Sequence, residues 1–269
     1  MCRHLAYLGP SVPLADLVLH QPHSLLRQSW APTDMRGGGT INADGFGIGW
    51  LTGSQGDSGG GLDGAVGSVV RRYRRDLPMW SDASLPDLAA SVSSGAVLAA
   101  VRSASAGMPV TESACAPFVE GAAMFSHNGV IRGWPDSVAP LADTLPASVL
   151  MTLDAPTDSA FLWALVRAHL RQGHPAAAAL ATVVAGVQEL APGSRLNLLL
   201  NDGVTIAATT VGHALWIHTG KTGDGKDSVT VSSEALDPVD TNWQPVPDLS
   251  LVEATDSEYS IHHLTRGWL

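Results

Sequence analysis

Short apolar runs separated by turn residues fill both ends of this 269-residue chain, and two helical stretches lie together between them. That order is the strongest constraint on the fold. Runs at 5–8, 46–51, 96–101 and 122–126 have the length of strands. Pro156 precedes a stretch at 158–171 and Gly173 follows it. Within it Phe161, Leu162, Leu165, Ala168 and His169 repeat near helical spacing, which predicts a helix with one buried face. An alanine-rich stretch at 176–190 stops before Pro192 and Gly193 and predicts a second helix. Strands then resume at 195–200 and 205–210 around Asn201-Asp202-Gly203, a strong hairpin signal. More follow at 214–218, 228–232 and 249–254. Without strict strand–helix–strand alternation, the pattern predicts an α+β protein with helices packed on mainly antiparallel sheets.

The length suits one domain over 1–269, and 45% hydrophobic with 15% charged residues describes a globular chain. A net charge of −10 argues against nucleic acid and anionic membranes as partners. No signal segment opens the chain, and no apolar run reaches membrane-spanning length; 95–101 is short and ends at Arg102. The two cysteines, Cys2 and Cys115, have neither disulfide-framework nor zinc-site spacing, which predicts a cytoplasmic address and no metal. Glycine-rich stretches at 53–64 and 220–227 read as a flexible surface loop and a mobile hairpin loop. Arg71, Arg72, Arg74 and Arg75 around Tyr73 read as a solvated strand edge in preference to an anion site.

Candidate chemistry begins at Cys2. Removal of Met1 would leave a thiol and a free α-amine on one residue, nucleophile and base joined, with ordinary pKa values near ~8.5 and ~8. Four other segments offer partners. In 42–50 the alternating glycines fit close approach of a backbone or ligand better than a phosphate loop, because no helix signal follows. Arg102 ends an apolar strand, where it either grips a carboxylate ligand or forms an internal ion pair. Asn128-Gly129 makes either an oxyanion hole or an ordinary turn, and His127 points away from Asn128 if the strand persists. Asp158 stands at a helix start, as part of a cap or as a partner for a substrate ammonium.

Taken together, these residues resemble the class II glutamine amidotransferase domains of the N-terminal nucleophile hydrolases. The likeness runs from Met1-Cys2-Arg3-His4, through 101–105 and 127–129, to Ser232-Ser233-Glu234. It implies an αββα four-layer sandwich of two antiparallel sheets and cleavage of a small γ-glutamyl amide without metal or organic cofactor. It also implies that Cys2 attacks, that Arg102 grips the glutamyl α-carboxylate, and that Asp158 binds the α-amine. Asn128 and Gly129 would form the oxyanion hole. Ser105, where many members have threonine, would add a hydroxyl. Ser103 replaces the bulky aromatic of ammonia-transferring members, and no synthase is attached. Among stand-alone members the chain looks most like the γ-glutamyl hydrolases of ergothioneine biosynthesis, at 1–5, 42–49, 101–110 and 194–200. The leaving half of their substrate carries a trimethylammonium group. Tryptophan is the best side-chain partner for such a cation, and there are 8 tryptophans against 4 phenylalanines; Trp30 and Trp80 lie in expected loops. Two other readings stay open: a glutaminase subunit feeding ammonia to a separate synthase, and a catalytically silent binding module of the same fold.

The role given to the Cys2 amine makes one requirement of the mature protein. Active preparations should begin at Cys2 in intact-mass measurement; full activity with Met1 quantitatively retained overturns that role.

Overall fold

Side chains alternate across β1 (Arg3–Pro13), sending Leu5 and Tyr7 to one face and Ala6 and Leu8 to the other. Both faces are buried, so this strand sits in the middle of the protein. The computed structural model describes residues 2–36, 41–53, 69–222 and 225–264. After β1 come α1 (Leu14–Val18), α2 (Leu25–Gln28), β2 (Phe46–Thr52), β3 (Val69–Arg75), α3 (Leu85–Ser91) and β4 (Ser93–Val101). Next are β5 (Phe118–Glu120), β6 (Ala123–Val130), α4 (Ala139–Ala142), α5 (Ala147–Met151), α6 (Asp158–Arg171) and α7 (Ala176–Leu190). The chain ends with β7 (Arg195–Asn201), β8 (Ile206–Thr210), β9 (Trp216–Lys221), β10 (Asp227–Ser232), β11 (Trp243–Pro245), β12 (Ser250–Ala254) and β13 (Tyr259–His263).

The strands form a 7-stranded sheet, β11-β9-β10-β1-β4-β2-β3, and a 6-stranded sheet, β13-β12-β8-β7-β6-β5. The pairings in both are antiparallel. Three apolar layers follow. Leu5, Ile48 and Val97 pack under α1 and α3 on the first sheet. Phe125, Leu198 and Leu200 pack under α6 and α7 on the second. Between the sheets lie Ala6, Leu98, Met124, Leu199 and Val231. This is the expected αββα sandwich.

Both long helices form over the expected residues. The short helices α1–α5 and the strands β5, β11 and β13 were not expected, because three to seven residues carry too little periodicity to register. The Asn128-Gly129 pair is not a turn: β6 runs through it, with Asn128 opposite Asn197 and Gly129 opposite Leu196. The arginine cluster lies on β3, an edge strand as expected, but Arg72 and Arg74 donate to the carbonyls of Pro117 and Cys115. Close backbone approach explains the β2 glycines: a Cβ at Gly47 would stand 2.1 Å from the Ala116 oxygen. Lys221 pairs with Asp227 to close the expected hairpin. Most of the 53–64 stretch, and residues 223 and 224, fall outside the described residues.

The expected turn after β7 does more than reverse the chain. Asn201, fully buried, donates from Nδ2 to the carbonyls of Tyr7 (2.9 Å) and Val97 (3.1 Å) in the other sheet, and its Oδ1 accepts from Gly203 N (2.9 Å). A buried hydrogen bond contributes about 1 kcal/mol net, so Asn201→Ala should destabilise the fold by about 3 kcal/mol in urea unfolding. A loss under about 1 kcal/mol would show that the tie between the sheets is unimportant.

Candidate active site

Cys2 stands just ahead of β1, half-buried, with Sγ 3.8 Å from the carbonyl oxygen of Ser103. The contact follows from register: Arg3 lies opposite Val101 across the β1–β4 ladder, so the segment leaving β4 passes beside the chain's first residues. His4, on the same face of β1 as Cys2, spans the gap between sheets through Nδ1 to Ser126 Oγ at 2.8 Å. Two residues further along that face of β6 is Asn128. The end of the inter-sheet layer thus carries Cys2, His4, Ser126 and Asn128, where most of the layer, Asn201 apart, is aliphatic.

Asn128 is 1% exposed, its Oδ1 has no partner, and no hydrogen bond to its side chain exists among the described residues. Asn197 opposite it is the contrast. Its amide donates to the carbonyls of His213 and Ala214 and accepts from the N–H groups of Val211 and His213. Gln28 and Asn42 also carry buried amide oxygens without partners. What sets Asn128 apart is its place beside His4 and Ser126 and an Nδ2 that makes no hydrogen bond among the described residues, leaving a donor for a ligand oxygen. At Gly129 a Cβ would meet the Arg195 oxygen at 1.9 Å and His127 Nε2 at 2.5 Å, so only glycine fits. His127 points to the helix side, as alternation requires, between Ser159 Oγ (3.1 Å) and the Arg195 oxygen (3.0 Å).

Arg102 takes part in none of the ion pairs among the described residues. Its Nη1 donates to the carbonyls of Pro109 (2.8 Å) and Asp44 (3.5 Å), which leaves the guanidinium charge without an internal counter-ion. The Asp44 carboxylate instead accepts from Ala104 N at 2.8 Å, shaping the 102–105 segment, on which Ser105 is exposed. Asp158 is buried at the first turn of α6, and Thr157 is the residue that caps the helix, through Ala160 N. Asp158 Oδ2 accepts from Ile131 N (3.2 Å) and Oδ1 from Ser159 N (2.8 Å). A carboxylate with about four lone-pair positions keeps capacity for a cation. The Ile131 bond fixes α6 to the strand end that carries Asn128 and Gly129.

Sequence reasoning assigned no role to Arg3, His4, His213 or Glu234, yet all are buried near these groups. Period-two alternation from Cys2 could have flagged His4; nothing local could have joined Arg3 to Glu234. Cys115, the other free thiol, is buried and donates to the carbonyls of Arg75 and Thr111; burial pushes its pKa up to about 11, so it is inert beside Cys2. Trp30 and Trp80 meet edge to face, with ring centres 5.9 Å apart, and the Arg27 guanidinium lies 5.6 Å from the Trp30 ring.

No family model matches the sequence. The chain is 40% identical over 258 residues to a gamma-glutamyl-hercynylcysteine sulfoxide hydrolase of Mycolicibacterium smegmatis, covering 96% of this chain and 97% of that protein. A protein of the same name from Mycobacterium tuberculosis is 35% identical over 267 residues, 99% of this chain and 98% of its own. Among solved structures, a glutamine aminotransferase class-II domain protein of Silicibacter pomeroyi superposes with TM-score 0.60 at 22% identity, over 98% of this chain and 100% of that one. Glutamine phosphoribosylpyrophosphate amidotransferase of B. subtilis gives 0.59 at 14%, over 98% of this chain and 50% of that one. The two structures share the fold.

Burial holds the His4 and His213 imidazoles neutral. Each pKa falls from 6.5 to about 3, with His127 and Arg3 near both, His213 beside His4, and Arg195 beside His213. The unfolded chain therefore takes up protons below pH ~6.5 while the folded protein resists, so stability should fall as pH drops from 6.5 toward 3. Glu234 acts in a lower window. Burial opposes its charge, but hydrogen bonds from His23 and Thr33 and the Arg3 charge hold its pKa down at about 2, against 4.5 ordinarily. Its contribution is present above pH 4.5 and lost as pH falls through 2. Urea unfolding at pH 7, 5.5 and 4.5 should show a loss that His213→Asn reduces; equal pH slopes would remove His213 from the account.

Proposed function

The chain belongs to the gamma-glutamyl-hercynylcysteine sulfoxide hydrolase family, and from that membership we propose how its own residues carry out the reaction. The enzyme hydrolyses the γ-glutamyl amide bond of γ-glutamyl-hercynylcysteine S-oxide in ergothioneine biosynthesis, releasing glutamate and hercynylcysteine S-oxide. The Cys2 thiol gives its proton to the Cys2 α-amine and adds to the γ-carbonyl carbon. The Asn128 amide and the Gly129 N–H stabilise the oxyanion, each donor contributing about 3 kcal/mol in the transition state. The ammonium then protonates the leaving nitrogen as the C–N bond breaks and a thioester remains. Water, deprotonated by the same amine, attacks the thioester; glutamate leaves and the thiol is restored.

Recognition of the glutamyl group falls to Arg102 for the α-carboxylate, Asp158 for the α-ammonium and Ser105 as an added hydroxyl. The observation that best supports the reading is Asn128, whose Nδ2 makes no hydrogen bond among the described residues and whose strand faces β1 across the inter-sheet layer. Arg102 without a counter-ion and Asp158 with spare acceptor capacity agree with it. We assign the trimethylammonium end to the Trp30–Trp80 pair, whose perpendicular rings form an exposed corner. Among the described residues no helix is long and apolar enough to cross a membrane. We place the protein in the cytoplasm, where the Cys2 and Cys115 thiols stay reduced.

One set of assays tests the assignment. Cys2→Ala should abolish glutamate release while Cys115→Ala is nearly silent. Asn128→Ala should lower kcat by about 10²–10³-fold with little change in KM. Wild type should strongly prefer a γ-glutamyl amide to a glutaryl amide lacking the amine, a preference that Asp158→Ala largely loses. The S-oxide should exceed free glutamine in kcat/KM, and Trp30→Ala or Trp80→Ala should narrow that gap by up to about thirtyfold, the size of one cation–π contact. Glutamine as the better substrate would favour the ammonia-supplying reading. No turnover and no labelling of Cys2 would favour the silent module.

A further inference from the structure

We propose that Arg3 and Glu234 are positioning residues that fix the geometry of the nucleophilic terminus from behind, on the face of β1 opposite the chemistry. This rests on the reading of Cys2 as the nucleophile. A chain terminus ordinarily frays, and a catalytic residue with a free α-amine has its backbone held from one side only. The carbonyl of Cys2 is that handle, and Arg3 Nη1 donates to it at 3.0 Å. The other guanidinium nitrogens are also committed: Nε to Glu234 Oε1 at 2.9 Å and Nη2 to the Asp34 carbonyl at 2.5 Å. Three directed bonds in one rigid plane set the orientation of the fork, and with it the Cys2 carbonyl. A lysine, with a single nitrogen, could not reproduce this.

Glu234 is in turn held by several segments. Oε2 accepts from His23 Nε2 (2.7 Å), from Thr33 N (2.8 Å) and from the Thr33 hydroxyl. Arg3 and Glu234 are each 2% exposed, so the pair is screened little by solvent. Ser233, beside Glu234, continues the β1–β10 ladder by accepting from His4 N through Oγ (3.0 Å) and donating its own N–H to the His4 carbonyl (2.9 Å). Four separate stretches thus converge on one ion pair: the N-terminus, the segment before α2, the 33–34 segment and the end of β10. The β1–β10 ladder, from Leu5 opposite Ser232 to Leu8 opposite Val229, and the two Ser233 bonds already join the strands; the convergence on Arg3 adds a fixed support under Cys2.

The test uses Glu234→Gln, the charge-free double variant Arg3→Met/Glu234→Gln, and Thr33→Val. Glu234→Gln uncovers a buried cation and could unfold the protein. The double variant removes both charges while the glutamine keeps acceptors and donors for Thr33 and His23. Thr33→Val removes one bond to Glu234 at an exposed position. After intact mass confirms a Cys2 terminus, two quantities are read: kcat against KM on a γ-glutamyl amide, and the pH midpoint of Cys2 alkylation by iodoacetamide. In the Glu234 variants kcat should fall about 10–100-fold with KM within about twofold, the pattern of a misplaced reacting group. The alkylation midpoint should rise, because a displaced amine no longer takes the thiol proton. Thr33→Val should lower kcat severalfold. Folded variants with unchanged kcat and midpoint overturn the proposal. A shifted midpoint in a protein that cleaves no γ-glutamyl amide would keep the support and overturn the functional reading.

Discussion

The two sheets touch through a layer of small and aliphatic side chains, and the place of every reactive group follows from that contact. Ala6, Ala96 and Ala208 let the sheets approach, and Gly47 and Gly49 admit the Ala116-Pro117 segment where any Cβ would collide. With β1 buried on both faces, its residues have two addresses. Even positions from Cys2 to Leu8 enter the inter-sheet layer, and odd positions from Arg3 to Tyr7 lie under the short helices. Where the layer reaches solvent its composition changes from aliphatic to polar, with Cys2, His4, Ser126 and Asn128 together. Asn201 and the His4–Ser126 bond act as polar ties across an otherwise oily seam, and directed bonds fix the relative placement of two faces that hydrophobic packing alone would leave free to slide.

The local charge at that end runs against the protein's net charge of −10. Arg3 and Arg195 both lie near His213 there, and Glu234 pairs with Arg3. Burial keeps His4 and His213 uncharged, which prevents further accumulation of positive charge around Arg3 and Arg195. In the proposed mechanism the Cys2 amine accepts a proton, and neutral neighbours suit it, because each added cation would lower its basicity. The histidines therefore fill polar space without opposing the protonated amine.

What could be read in the chain depended on how local its cause was. Helices α6 and α7 repeat an apolar face over many residues between proline and glycine signals, and their limits were plain. The hairpin at Asn201-Asp202-Gly203 announced itself through turn chemistry, with Asp202 Oδ1 accepting from the N–H groups of Val204 and Thr205. Cys2, Arg102, Asn128 and Asp158 stood out as chemical types at the ends of elements, and their convergence came from family likeness. The placement of β1 between β10 and β4, and the Arg3–Glu234 pair spanning 231 positions, have no local signature. Asp158 lay between these cases. A helix start explained a carboxylate there, but Thr157 takes the capping bond and Asp158 reaches across to Ile131.

The paired asparagines of β6 and β7 carry a lesson about conflict between durability and work. Asn197 has each of its amide bonds met by backbone and strengthens the fold. The Oδ1 of Asn128, its opposite number in the ladder, is withdrawn from water with nothing to replace the hydration it gave up. Such an unsatisfied group weakens the folded state by about 1–3 kcal/mol, so under the proposed role of Asn128 a leucine in its place would make a sturdier and idle protein. The resting enzyme is in this sense held short of its own stability optimum.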